Sequence, residues 1–254
     1  MIISSGGCKD AVQDQGAGCT VVAAFDVEWS KNYRIRNGNI PFCYSVIWLA
    51  LPASGLPADL TGTSFCYTSA YVEHPGETQD LIAQADAAAA RMHKHADLIA
   101  GHQLCSDLAA LKRASMHTPA SAGELHAAWS ARRGGTGHGP RIIDTRYDTG
   151  HVLAGASRRL VDVCGELGLD VTQPELRGTS MTALHRRWLD TGDTEAREKI
   201  SVLNLRHSLS TALTAVRAAG TGRWGTPLNV NQMLAAGLGE DFAWTSSPPF
   251  RALL

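Results

Sequence analysis

One segment near the start of the chain, TVVAAFDVEWS, most constrains the fold. Its apolar run, residues 21–25, ends on two carboxylates, Asp26 and Glu28. Because side chains at i and i+2 of a strand point to the same face, we expect the two carboxylates side by side, about 6 to 7 Å apart along the strand. Two anions that close repel each other unless a cation or a proton lies between them. The pair therefore suits a divalent metal ion with hard oxygen ligands, and a metal there suits phosphoryl chemistry. The same pattern also occurs at the solvated end of an ordinary strand, which remains the alternative at this point.

Length and composition indicate one domain with insertions, or one domain with a small appendage. The chain has 254 residues, of which 44% are hydrophobic, so a sizeable core is available. The formal net charge of -1 gives no global attraction to nucleic acid. Any such contact would have to come from local basic patches, which could equally be solvated faces: Arg132, Arg133, Arg141, Arg158, Arg159, Arg186 and Arg187.

The cysteine pattern and the hydropathy exclude several classes of protein. The six cysteines form no C-x-x-C pair, so neither a zinc site nor a redox motif is indicated. Residues 1–18 are polar and glycine-rich, unlike a signal peptide, and no apolar run approaches the length needed to span a bilayer. We therefore expect a soluble, cytoplasmic protein with reduced thiols and no membrane partner.

The first third of the chain is patterned as strands. Residues 1–18 are predicted to be a flexible lead-in. Strands are predicted at about 20–26, 41–51 and 64–73. A connecting loop is predicted over 30–40, because this stretch carries Asn-Gly and is followed directly by a proline. This opening indicates an antiparallel meander of three strands.

The pattern then changes to alternating helices and strands. Helices are predicted over 77–96, 106–114, 157–169, 179–190 and 194–219, with a short one near 229–237. Buried strands are predicted at ADLIAGHQL and RIIDTR, and residues 115–140 are poorly patterned. This order is typical of an α/β fold of the RNase H-like type, with a mixed sheet of about five strands flanked by helices. Residues 19–219 form the predicted domain, and 220–254 a C-terminal extension.

Three segments, in the right order, carry a resemblance to a known family, and the third of them is only partly preserved. The first is FDVE, with Asp26 and Glu28. The second is ADLIAGHQLCSDLAAL, with Gly101, His102, Gln103 in place of the family's Asn, Asp107 and Leu111. RIIDT, with Asp144 and Thr145, and the helix SRRLVDVCGELGL follow in the family's order. In these segments the chain resembles the DEDD (DnaQ-like) 3′-5′ exonuclease superfamily, over about residues 20–217.

The third segment, NLRHSLSTALTAVRAA, departs from the family pattern of a His followed five residues later by an Asp. If Ala212-Leu213 is aligned with the family's Ala-Leu, Arg206 occupies the His position and Thr211 the Asp position. If the alignment is shifted by one residue, His207 occupies the His position but Ala212 occupies the Asp position. Asn204, His207 and Thr211 are spaced i, i+3, i+7 and share one helix face. His207 could serve as a ligand or base or be an ordinary polar-face histidine, and Thr211 could only hold a water on the metal.

The resemblance implies roles for the matched residues. Asp26, Glu28 and Asp107 are expected to bind one or two Mg²⁺ or Mn²⁺ ions, and His207 to act with them in catalysis by taking a proton from water. The residues expected to contact substrate are Trp29, Tyr33, His102 and Arg206. Trp29 and Tyr33 would stack on bases, although Trp29 could instead cover the edge of the core.

The expected function is metal-dependent 3′-5′ exonuclease-like hydrolysis of phosphodiester bonds in single-stranded DNA or RNA, with short oligonucleotides as partners. A second hypothesis is a catalytically degenerate member that binds nucleic acid or a protein partner without cleavage. A third is an enzyme on this fold with a substrate other than nucleic acid. Formation of a homo-oligomer stays open.

Overall fold

A computed structural model of the chain describes residues 1–7, 18–32, 38–53, 56–134, 139–225 and 227–254. The described part has an α/β architecture, in which a mixed six-stranded sheet is covered by helices on both faces. The α/β class and the mixed sheet flanked by helices, which the sequence predicted, are thus confirmed.

The described ranges contain ten strands, four of which are two-residue segments that pair outside the main sheet. In chain order they are β1 (Ile2–Gly6), β2 (Cys19–Asn32), β3 (Gly38–Pro52), β4 (Ala58–Asp59), β5 (Cys66–Tyr71), β6 (Leu98–Gly101), β7 (Arg141–Asp144), β8 (Leu169–Asp170), β9 (Gly222–Arg223) and β10 (Leu228–Asn229). The main sheet has the order β1-β5-β3-β2-β6-β7. Within it β1, β5, β3 and β2 pair antiparallel, whereas β6 and β7 extend the sheet with parallel pairing. The predicted meander is therefore present as β2, β3 and β5.

Eight α-helices accompany the strands in the described residues. They are α1 (Thr78–His95), α2 (Leu104–Ala114), α3 (Ala120–Ala131), α4 (Leu160–Glu166), α5 (Met181–Thr191), α6 (Thr194–Ala219), α7 (Val230–Leu238) and α8 (Pro248–Arg251). None of the helices in these ranges is both long and apolar enough to cross a membrane.

The sheet separates two hydrophobic cores because successive side chains of a strand point to opposite faces. From β2, Val22 and Ala24 pack with α6 and α7, whereas Phe25 and Val27 pack with α1, α2 and α3. The run 21–25 is buried on both faces, which explains its unbroken apolar sequence. Since Asp26 and Glu28 continue the Val22–Ala24 series, the alternation turns both toward α6.

Three predictions about local structure are wrong. The lead-in includes a strand, because Ile2–Gly6 pairs with β5 at the sheet edge. The loop predicted over 30–40 is shorter, because β2 and β3 continue as a paired ribbon to Asn32 and Gly38. Residues 115–140 contain α3, whose alanine-rich sequence lacks a clear amphipathic period.

Residues 220–254, predicted as an extension, share a core with the preceding part of the chain. Leu228, Leu234, Phe242 and Phe250 are buried in the same cluster as Leu209 and other residues of α6. The boundary predicted at residue 219 therefore does not divide the packing.

Candidate metal centre

The two carboxylates of β2 lie just before a β-bulge that interrupts its regular pairing with β3. Asp26 is opposite Ser45 and Glu28 is opposite Cys43, and the register shifts between Glu28 and Trp29. Glu28 is buried, and Asp26 is half-buried. A bulge here bends the ribbon just beyond the acidic pair, an arrangement often found beside functional sites.

Helix α6 supplies the groups that face these carboxylates. The amide Nδ2 of Asn204 donates a hydrogen bond of 2.6 Å to Asp26 Oδ2. His207 Nδ1 lies 3.2 Å from Glu28 Oε1 and 3.6 Å from Asp26 Oδ2. The predicted shared face of Asn204 and His207 is thus turned toward β2.

Asp26, Glu28 and His207 form a cluster that could hold a metal ion. One ligand atom from each residue lies within 4.8 Å of the others. Two carboxylates and an imidazole are a donor set that divalent metals accept in proteins. The geometry of this triad of residues therefore supports a metal-binding site.

The protonation of the triad reflects its burial and the presence of two carboxylates beside a single imidazole. Burial raises the pKa of Glu28, the charge of Asp26 adds to this effect, and the result is about 7. Burial opposes a charged His207, but its hydrogen bonds with Asp26 and Glu28 outweigh that cost and raise its pKa to about 10. The imidazolium thus holds its proton between the two carboxylates, where a cation would compete for the same oxygen atoms.

Asp107 lies in the first turn of α2 and comes from the other side of β2. Its side chain is buried, and Oδ2 has no hydrogen-bond partner. Burial raises the pKa of Asp107 far above its usual range, and the charges of Asp26 and Glu28 raise it further. Asp107 is outside the triad of close ligand atoms but within the same electrostatic environment. A buried carboxylate oxygen without a hydrogen-bond partner, within reach of the charges of Asp26 and Glu28, fits a role as a cation ligand.

His102 is placed close to the site by the strand pair β6 and β7. Its Nδ1 forms a 2.9 Å hydrogen bond with Thr145 Oγ1. Burial lowers the pKa of His102 to about 4, although the nearby charge of Asp26 acts in the opposite direction. His102 is therefore a neutral side chain beside the acidic cluster.

The side chain of Arg206 is buried and therefore cannot make the substrate contact expected of it. Its guanidinium is fully buried and forms two hydrogen bonds with Glu175, at 2.6 and 2.8 Å, and one with Asn231. Since adjacent helix residues point in directions about 100° apart, Arg206 cannot share the direction of His207. We therefore correct its role to a structural one.

The two aromatic residues expected to stack on bases are placed differently. Trp29 is partly buried and packs against the core beneath α1 and α2, which agrees with its alternative role at the core edge. Tyr33 lies outside the described residues.

Neither register of the third motif places a fourth carboxylate in the site. Thr211 is buried with an unpartnered Oγ1, and Ala212 is part of the apolar core. The groups that reach Asp26 and Glu28 are instead His207, one helical turn before Thr211, and Asn204, two turns before it.

Gln173 is a site residue that the sequence analysis missed. Its amide lies 3.2 Å from His207 Nε2, on the side of the ring opposite the carboxylates. It precedes Pro174 in a connecting segment, and no periodicity or motif links it to a histidine 34 positions later. Only the course of the chain brings the two together.

Two comparisons with known proteins were negative. No protein-family model matches the chain, and a search of curated proteins finds no significant match.

Proposed function

We propose that this protein is a divalent-metal-dependent phosphodiesterase of the RNase H-like, DEDD exonuclease type that removes nucleotides from the 3′ end of single-stranded DNA or RNA. The observation that carries the proposal is the convergence of Asp26 and Glu28 with His207, together with a buried Asp107 that feels the charges of both carboxylates. The choice of nucleic acid as the substrate rests on the order of the helices and strands and on the sequence motifs that resemble the exonuclease family.

Asp26, Glu28 and Asp107 would hold Mg²⁺ or Mn²⁺, with His207 as the fourth group. Bound there, the metal would supply Lewis-acid stabilisation of the phosphoryl oxygens and an activated water. Three carboxylates and one imidazole carry less negative charge than four carboxylates. This smaller charge favours one bound ion over two.

The protein's own side chains would hold and move protons around that ion. When a metal ion binds, His207 would release to the solvent the proton that it keeps between Asp26 and Glu28, and its neutral ring would then serve as a ligand or accept a proton from water. Gln173 would restrain the ring from the opposite side. Asn204 would fix the orientation of Asp26 through its amide.

The decisive experiment is trimming of a 5′-labelled single-stranded oligonucleotide with a free 3′ hydroxyl, tested as DNA and as RNA, with Mn²⁺, Mg²⁺ or chelator. We expect metal-dependent shortening that Asp26→Asn reduces by at least about a hundredfold, because the substitution removes a ligand from the site. Asp80→Asn, the same change on the exposed surface of α1, is the matched control and retains activity. Shortening that survives both chelator and Asp26→Asn would contradict the proposal.

A second candidate is a degenerate module that binds nucleic acid or a protein partner without cleavage. It is favoured by Asn204, an amide that faces Asp26 from the helix on which a fourth carboxylate is expected. Oligonucleotide binding that is independent of metal and of Asp26→Asn, without shortening, would support this candidate.

A further inference from the structure

We propose that Asp144 is a positioning residue for the metal centre: it holds the turn between β6 and α2 in the conformation that presents Asp107 to Asp26 and Glu28. This inference rests on the proposed function, because it takes Asp107 to serve the same cation as the β2 carboxylates. Asp144 itself lies behind the site and acts through the backbone of its neighbours.

The turn that Asp144 holds has an unfavourable backbone conformation. Gln103, the residue before α2, has φ 68° and ψ 39° and is the only non-glycine with positive φ in the described ranges. Side chains with a Cβ adopt this left-handed conformation at a cost, so surrounding contacts must maintain it. Asp107 follows four residues later in the first turn of α2. The direction of its carboxylate therefore depends on how the turn is fixed.

Asp144 supplies those contacts. Its Oδ1 accepts hydrogen bonds from the backbone N–H of Gln103 at 2.9 Å and of Arg146 at 3.1 Å, and its Oδ2 accepts one from Trp129 Nε1 at 2.8 Å. The side chain is fully buried. The parallel pairing of Gly101 with Asp144 places the carboxylate beside the turn.

The contrast between the two buried aspartates separates positioning from metal binding. Both oxygens of Asp144 already accept hydrogen bonds from N–H donors. Asp107 Oδ2 has no partner and is free to bind a cation. A hydrogen-bonded carboxylate behind a ligand is a common way to orient the ligand, and its loss typically weakens metal affinity by about 10- to 100-fold.

The first test is Mn²⁺ affinity, measured by isothermal titration calorimetry on the folded full chain. We expect Asp144→Ala to weaken Mn²⁺ binding by about 10- to 100-fold. Trp129→Phe is the matched control, because it removes the hydrogen bond to Oδ2 and leaves the contact with Gln103. It should bind Mn²⁺ as the unmodified protein does. If the alanine variant does not fold, Asp144→Leu, which fills more of the same space and also removes the acceptor, replaces it. Asp144→Asn, which can keep an acceptor oxygen near Gln103, should bind Mn²⁺ nearly as the unmodified protein does.

A second substitution tests whether Asp144→Ala weakens Mn²⁺ binding because the turn is released or because charge and packing are lost in general. Glycine adopts the left-handed conformation without the cost of a Cβ, so Gln103→Gly should make the turn less dependent on Asp144. We therefore expect the Asp144→Ala/Gln103→Gly double variant to recover most of the lost Mn²⁺ affinity. Equal losses in both backgrounds, or an Asp144→Ala protein that binds Mn²⁺ normally, would overturn the inference.

A metal-free measurement keeps this inference separable from the proposed function. In urea without metal, Asp144→Ala should reduce the free energy of unfolding less in the Gln103→Gly background than in the original chain. An original chain that binds no Mn²⁺ would overturn the proposed function and the link to Asp107. The unfolding comparison would then decide whether Asp144 holds the turn, and equal losses would refute that as well.

Discussion

At the scale of single residues, the site is defined by an excess of carboxylates over positively charged groups. Asp26 and Glu28 face one imidazole and one amide, and Asp107 contributes a third buried carboxylate. Asn204 is the informative residue of this group, because its amide donates to Asp26 from the helix that the family pattern would use for a fourth acid. Changing this residue tests both the metal and the packing.

We expect Asn204→Asp to destabilise the metal-free protein at pH 7 by about 2 to 3 kcal/mol, because it removes a donor to Asp26 and adds a like charge beside it. Mn²⁺ should restore part of this loss by binding the folded state. Urea unfolding with and without Mn²⁺ measures both effects. Asn204→Leu, similar in size but without the added charge, should be destabilised and should gain less from Mn²⁺. An equal gain in the two variants would contradict the expectation.

His185 gives a prediction about pH. Its ring stacks on Phe42 at 3.9 Å, its Nδ1 is hydrogen-bonded to the hydroxyl of Tyr71, and burial lowers its pKa to about 4. A histidine that resists protonation in the fold contributes stability that is complete above the unfolded pKa of about 6.5 and declines as pH falls toward 4. The unfolded chain takes up the proton first in that window.

We therefore expect the stability advantage of the original chain over His185→Gln to shrink by about 2 kcal/mol between pH 7.5 and pH 4.5. Glutamine can still accept a hydrogen bond from Tyr71 and does not titrate. Urea unfolding of both proteins at the two pH values isolates this histidine from other titrating groups. A constant difference would show that His185 titrates in the fold as it does in the unfolded chain.

At the scale of elements, helix α6 organises the molecule. It has 26 residues, most of them buried, and different sides of it meet the sheet, α5 and the C-terminal segments. One side carries Asn204 and His207 to the candidate site. On another side, Arg206 pairs with Glu175, which also accepts a hydrogen bond from Trp244 Nε1.

Breaking this buried pair should be costly. We expect Arg206→Met to lower the free energy of unfolding by about 3 to 5 kcal/mol, because it leaves Glu175 buried without its cation. Adding Glu175→Gln should recover part of the loss, since glutamine is neutral and can still accept from Trp244. Urea unfolding of the two variants checks this. No recovery in the double variant would mean that lost packing, and not the uncompensated charge, dominates.

At the scale of the whole molecule, the last 35 residues complete a core that begins on β2. Large side chains from this segment that are buried against α6 and the sheet include Leu228, Val230, Leu234, Leu238, Phe242, Trp244 and Phe250. Burial of one such side chain contributes about 1.5 to 3 kcal/mol, and the net stability of a domain is about 5 to 15 kcal/mol. The packing energy of the segment therefore rivals the stability of the whole fold.

We accordingly expect a chain ending at Ala219 to lose cooperative unfolding and to expose apolar surface. Near-ultraviolet circular dichroism and a urea titration would detect the loss. Removal of Leu254 alone, which is 41% exposed, is the control and should leave the transition almost unchanged. A soluble 1–219 chain with a sharp transition would restore the predicted boundary at residue 219.

Most secondary structure could be predicted from local pattern because the relevant signals are local. The long helices were anticipated within a few residues, and the alternation in β2 correctly turned Asp26 and Glu28 to one face. The prediction missed β1, whose IISSG sequence becomes a strand only by pairing with β5. It missed α3 because that helix has a weak amphipathic period.

The sequence by itself determined the parts of the candidate site: an acidic pair on one face of β2, and a polar pair, Asn204 and His207, on one face of α6. Only the tertiary structure decided that these pairs meet, across separations of 178 and 179 residues. It also decided that Arg206 is sealed in the core and that Gln173 adjoins His207. The physical reason is that periodicity fixes the direction of a side chain relative to its own element, whereas its partners depend on how distant elements pack.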